Sequence, residues 1–186
     1  MTSKELFFEQ GKELFASGHS EESIDLFTKA EEQGFNAVDV YLSRGAAFLT
    51  IGELDKSIDD FNRVLDIETN NERALYYRGV AHLIKGEFND AVDDLTSSIL
   101  FNNDRGATFF ARGLAYAELG HTEESLRDLK TAIAFSNREV ASFANLFGEN
   151  RTLFDRSMAL LEGERGPWSI VLTEDEAKKL KKWIEH

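Results

Sequence analysis

Four histidines, His19, His82, His121 and His186, and three adjacent carboxylate pairs, Asp59-Asp60, Asp93-Asp94 and Glu123-Glu124, are the side chains best suited to acid–base or metal chemistry. A general acid/base couple needs two titratable groups aimed at one point. Adjacent residues on a helix point apart, so none of the pairs forms such a couple. No two histidines have the one-turn spacing that places two metal ligands on a helix face. His19 and His121 follow turn glycines, and His82 takes a slot that reads as core. The chain has no cysteine, which removes thiolate ligands, thiol nucleophiles and disulfides. Neither a glycine-rich phosphate loop nor a nucleophile elbow is present. No catalytic residue, metal ligand or cofactor is therefore expected. An enzyme is the most distant reading and requires a surface site that no motif marks.

Composition narrows the partners. The net charge is -13, and a polyanion repels phosphate backbones, so nucleic-acid binding is not expected. The densest basic cluster, Lys178, Lys179, Lys181 and Lys182, reads as the solvated face of a terminal helix. No run of apolar residues is long enough to span a membrane, and the first residues lack the pattern of a signal peptide. A cytoplasmic location is the expectation.

The elements that position these residues follow from a period. Gly11, Gly45, Gly79 and Gly113 are 34 residues apart, and Gly18, Gly52, Gly86 and Gly120 repeat in the same register. Twelve residues after the first series come Ser23, Ser57, Ala91 and Ser125, all small. Sixteen after it come Phe27, Phe61, Leu95 and Leu129, all large and apolar. A glycine inside a helix costs about 1 kcal/mol against alanine. Its recurrence implies that a neighbouring helix approaches closely, with the small residue twelve positions on as the expected contact. The second glycine series ends the helix and lets the chain turn. Ser20-Glu-Glu-Ser and Thr122-Glu-Glu-Ser then read as helix starts, with Ser20 and Thr122 as caps. Arg44, Arg78 and Arg112 each precede a glycine, and Asp60, Asp94 and Asp128 lie sixteen residues beyond them. An Arg–Asp bond between the two helices of one hairpin is expected, because the guanidinium fork suits a buried carboxylate.

Each copy thus reads as helix, turn, helix, and the chain resembles the tetratricopeptide-repeat family. Tyr41-Leu-Ser-Arg-Gly-Ala-Ala-Phe and Phe109-Phe-Ala-Arg-Gly-Leu-Ala-Tyr carry the resemblance most clearly. The departure is at the repeat ends, where Phe35, Thr69, Asn103 and Asn137 stand in place of the family's frequent proline. The resemblance implies an all-α, right-handed α-solenoid of helical hairpins with C-terminal capping helices. Four repeats are expected at about 4–36, 37–70, 71–104 and 105–137. Residues 138–162 read as a degenerate fifth hairpin or cap. Residues 163–172 read as a linker holding Pro167, and 173–186 as a C-terminal amphipathic helix opened by a capping box.

In the family, the first helices of successive hairpins line a concave surface that binds peptides. Carried to this chain, that surface includes Phe8, Lys12, Leu42, Ser43, Ala46, Leu49, Arg73, Tyr76, Tyr77, Val80, Leu83, Phe110, Ala111 and Leu114. Helices as apolar all round as those near Tyr76 and Phe110 are normally covered on both sides, so an open apolar channel needing an occupant is expected. The expected partner is a peptide or amphipathic helix of another protein, making the chain a scaffold, adaptor or chaperone-like holder. The alternative is self-association or autoinhibition, including a homodimer through the tail, with Trp168, Leu180, Trp183 and Ile184 as anchors. Some family members clamp acidic chaperone termini with Lys, Asn and Arg. Those positions meet Phe8, Lys12, Ser43, Arg73 and Tyr77 here, of which only Lys12 and Arg73 are cationic, so that clamp is not expected.

Overall fold

The computed structural model describes residues 2–135 of the chain, and the expected fifth hairpin, linker, terminal helix and tail anchors lie outside the described residues. Thr2 opens the first helix through a reciprocal box. Its hydroxyl accepts the Glu5 amide, and its own amide donates to the Glu5 carboxylate at 2.7 Å. Asn36 and Asn71 open the third and fifth helices by accepting the amides of Val38 and Ala74, each at 3.0 Å. Ser20 and Thr122 do not cap. They are the first residues of their helices, and His19 and His121 hold the cap positions without a side-chain bond. The chain enters these helices one residue earlier than expected, so the following acids still sit in the first turn, where the helix dipole favours them.

Eight α-helices result among the described residues, with no strand: α1 (Ser3–Ala16), α2 (Ser20–Glu32), α3 (Ala37–Thr50), α4 (Leu54–Ile67), α5 (Glu72–Lys85), α6 (Phe88–Phe101), α7 (Gly106–Glu118) and α8 (Thr122–Ala134). Each odd-numbered helix packs against the even-numbered one that follows it, and each even one against the next odd one. The odd helices also meet along one side, α1 with α3, α3 with α5 and α5 with α7. This is the all-α solenoid of hairpins that the spacing implies. Gly52 and Gly86 take φ of 80° and 85° at the turns, a conformation that suits glycine because it lacks a Cβ.

The helix-interior glycines meet the expected small residue through its hydroxyl in two hairpins, and a larger side chain fills the space above them. A methyl group on Gly45 falls 2.8 Å from the ring of Phe61, and one on Gly79 falls 2.7 Å from Cγ of Leu95. The large residue sixteen positions on fills the space, not the small residue twelve on. The longer side chain reaches across the hairpin onto the bare backbone, and Phe27, Phe61, Leu95 and Leu129 are buried in consequence. The residue at +12 has a second task in two hairpins. The hydroxyls of Ser57 and Ser125 donate to the carbonyls of Gly45 and Gly113, the first at 2.9 Å. Both serines are fully buried, and each bond ties the two helices of its hairpin.

Candidate partner-binding face

The arginine before each glycine organises the polar side of the hairpins. Arg44 Nε donates to Asp60 Oδ2 at 2.8 Å and its second nitrogen to Oδ1 at 2.9 Å. Arg78 holds Asp94 in the same fork at 2.7 and 2.6 Å, and Arg112 holds Asp128 at 2.7 and 2.9 Å. The expected Arg–Asp bond is therefore present in three hairpins, and all three are bidentate. Within Asp59-Asp60 and Asp93-Asp94, the second carboxylate turns inward to the arginine while the first is exposed. The two cannot act on one substrate atom.

Sequence reasoning missed where the remaining arginine nitrogen goes. It reaches back to the preceding hairpin: Arg44 to Thr28 at 3.2 Å, Arg78 to Asn62 at 2.6 Å and Arg112 to Thr96 at 3.0 Å. These acceptors are also 34 residues apart, and that spacing was the available signal. Each arginine thus joins three helices from two hairpins. Arg44 also donates to Glu31 at 2.5 Å, and Tyr41 donates to the same carboxylate at 2.9 Å. The bonds to Asp60 hold the Arg44 pKa above its ordinary value despite burial. Burial pushes the Glu31 carboxyl up, but the bonds from Tyr41 and Arg44 outweigh it and hold the group below the ordinary carboxylate range. Both groups remain charged at neutral pH, and the network is architectural.

His82 is not the core residue the sequence suggests. It is half-buried at the end of α5, where Nδ1 lies 2.6 Å from Glu87 Oε2 and Nε2 lies 3.8 Å from Asp94 Oδ2. Its slot, filled by Phe48 and Tyr116 in sister hairpins, is half-buried in all three. An edge position lets a polar ring stay partly hydrated. His82, Glu87 and Asp90 bring ligand-type atoms within 4.8 Å of one another. The Lys85 ammonium sits 2.8 Å from Glu87 and 2.9 Å from Asp55, so a cation already neutralises this corner. We assign it no metal.

The residues expected to form the inner face lie on the odd helices, which meet side by side. Phe8, Leu42, Tyr76 and Phe110 occupy equivalent positions 34 residues apart, as do Lys12, Ala46, Val80 and Leu114. The open apolar channel expected here is not what these residues present. Phe8, Leu42, Ala46, Leu49, Tyr76, Val80, Leu83, Phe110, Ala111 and Leu114 are all buried. Ser43 and Tyr77 are half-buried, and Lys12 and Arg73 are exposed. Leu49, Tyr76, Val80, Leu83, Phe110, Ala111 and Leu114 share one cluster with Ala91 and Leu95 of α6 and Leu129 and Ala132 of α8, so they pack against the even helices as well as one another. Phe8 belongs to a second cluster and Leu42 to a third, where Tyr77 stacks on Phe61 at 5.7 Å between centroids. Lys12 lies 5.6 Å from the Phe8 ring and 3.1 Å from Glu9. The surface this face offers to solvent is thus a polar and aromatic margin, with the aliphatic side chains beneath it.

No helix among the described residues is long and apolar enough to cross a membrane. Residues 8–72 match the family model described as Tetratricopeptide repeat. No curated protein matches the chain in sequence. Solved structures are similar in fold. The 41-end form of MamA from Desulfovibrio magneticus RS-1 is 17% identical with a TM-score of 0.70, over 100% of this chain and 96% of that one. TTC0263, a thermophilic TPR protein of Thermus thermophilus, is 18% identical with a TM-score of 0.64, over 96% of this chain and 100% of that one. YrrB, described as a TPR protein with an unusual peptide-binding site, is 18% identical with a TM-score of 0.64, over 71% of this chain and 68% of that one. Residues 8–72 thus match the tetratricopeptide-repeat family model, and the eight described helices share the hairpin fold of these tetratricopeptide-repeat structures.

Proposed function

We propose that the chain is a non-enzymatic protein-interaction module whose inner face takes a peptide or helix of another protein. The observation that carries this reading is the alignment of equivalent side chains across α1, α3, α5 and α7. The odd helices lie side by side, so an elongated ligand laid across them meets one helix of each hairpin at the margin that holds Lys12, Ser43, Arg73 and Tyr77. Lys12 and Arg73 at the margin supply charge that selects orientation more than affinity. The peptide-binding site ascribed to YrrB is consistent with such a role for this fold. Scaffold, adaptor and chaperone-like holder are versions of it that differ only in the partner, and a cytoplasmic setting goes with it.

A second reading rests on the aromatic and apolar side chains of the chain's own C-terminal sequence. In it the occupant is the chain's own C-terminal segment, anchored by Trp168, Leu180, Trp183 and Ile184, in the same molecule or in a homodimer.

One experiment tests both. Affinity capture with the full chain retains a defined set of polypeptides, and Lys12→Glu with Arg73→Glu loses them while the melting temperature is unchanged, since both side chains are exposed. Unchanged capture by the double variant contradicts the inner-face assignment. Ending the chain after Glu164 separates the readings. Stronger capture or a changed oligomeric state identifies the tail as occupant, and no change favours an external partner.

A further inference from the structure

The even-numbered helices carry a second surface that the inner-face reading does not use. Leu100 is 79% exposed and Phe101 54% at the end of α6, and Ile67 is 56% exposed at the end of α4. Ile67 and Phe101 are 34 residues apart, so they occupy the same place in successive hairpins. Leu100 stands where the two preceding hairpins carry Glu32 and Asp66. An apolar residue has replaced an acid at a solvated slot, beside an exposed phenylalanine. Burying such side chains is favourable, and a monomer gains nothing from displaying them together.

The surroundings determine what can cover the patch. From Gly86 to Asp104 the chain has no lysine or arginine and five acids, Glu87, Asp90, Asp93, Asp94 and Asp104. Asp94 is held by Arg78, and Glu87 by Lys85 and His82. Asp90, Asp93 and Asp104 are exposed. Ile67 is flanked by Asp66 and Glu68, both exposed. The nearest arginines in sequence, Arg63 and Arg105, turn to Glu31 and Glu72, so the apolar residues sit beside the exposed carboxylates of Asp66, Asp93 and Asp104. An anionic membrane or a nucleic acid meets repulsion there. The hairpins of a second copy bring like charge as well, and the chain's one lysine-rich segment, residues 178–182, is distinguished by the test below.

We infer that the outer edge formed by the ends of α4 and α6 docks a cationic amphipathic segment of a partner protein, with apolar anchors on Leu100, Phe101 and Ile67 and lysines or arginines against Asp66, Asp93 and Asp104. The apolar contacts supply affinity, and the acidic rim supplies attraction at a distance and selection against anionic partners. This surface is independent of the inner face, so both can be occupied together.

The test uses the full chain and a fluorescein-labelled 14-residue peptide of leucine and lysine, with leucines on one helical face, read by anisotropy. A leucine–glutamate peptide of the same pattern is the charge control. The expected result is salt-sensitive binding of the leucine–lysine peptide only, weakened by about 10-fold in Leu100→Ser with Phe101→Ser, the loss expected from removing two apolar anchors. Leu6→Ser, which alters an exposed leucine of α1, leaves affinity unchanged. Because both altered side chains are exposed, circular dichroism confirms an intact fold in the double variant. Equal affinity in the double variant overturns the inference, as does equal binding of the glutamate peptide. Binding that appears only when the chain is ended after Glu164 overturns it too, because the chain's own lysine-rich segment is then the occupant.

Discussion

Replacing Arg44 by methionine lowers the unfolding free energy by about 3–5 kcal/mol, the range expected when one partner of a buried ion pair is removed. The magnitude follows from what is left behind. Asp60 is 3% exposed and loses both donors of its fork, while Thr28 loses the Arg44 bond and Glu31 keeps the one from Tyr41. A carboxylate in that position has little water to replace the lost bonds. The sign of the pair's net contribution is a separate question, which the double variant Arg44→Met with Asp60→Leu answers against the natural chain. If the fork is the interaction, Arg44→Met with Asp60→Leu costs less than the sum of the singles, with a coupling of about 1–3 kcal/mol. Arg78→Met costs less than Arg44→Met, because Arg78 is half-buried and holds Asp94 and Asn62, whereas Arg44 is buried and holds two carboxylates, Asp60 and Glu31. Urea unfolding of the four variants checks all of this, and additive costs contradict the pairing.

Phe61→Ala costs about 3–5 kcal/mol, as expected for deleting a fully buried ring. Phe61 fills the hollow above Gly45 and stacks on Tyr77 of the next hairpin, so its loss loosens two hairpins at once. The sharper consequence is a change of sign at Gly45. In the natural chain Gly45→Ala gains about 1 kcal/mol of helix propensity but loses about 1–3 kcal/mol to overpacking against Phe61. With Phe61 already alanine the clash is gone, and Gly45→Ala becomes stabilising. Thermal melts of the single and double variants show this reversal. A Gly45→Ala effect of the same sign in both backgrounds contradicts the packing assigned to the glycine.

The sequence showed most where backbone and side chain impose the same period. Two glycine series in one register required hairpins, and the Arg–Asp spacing of sixteen marked the bond between their helices. What it misplaced was direction. Spacing shows that Ser57 and Phe61 both recur after Gly45, yet only side-chain length decides which one lies over the glycine. The back-reaching bonds to Thr28, Asn62 and Thr96 were missed because the slot alternates threonine and asparagine, and no single residue type stands out. Ser20 and Thr122 looked like caps by type, but the turn after Gly18 and Gly120 gives the cap position to a histidine. The inner face was legible as a row of apolar slots. Its burial was not, because an apolar helix side reads the same whether solvent or protein lies against it. The oddity of Leu100 was visible only against its counterparts Glu32 and Asp66, and its exposure emerged only with the fold.

The most direct measurement of the inner face as a binding surface is site-specific photocrosslinking. Benzoylphenylalanine at Lys12 and at Arg73, both exposed on that face, is compared with the same group at Asp59, exposed on α4. The account predicts adducts to a polypeptide segment from positions 12 and 73 and none from position 59, with mass spectrometry distinguishing a partner protein from residues 164–186 of the chain itself. No adduct from positions 12 and 73, or equal adducts from all three, contradicts it.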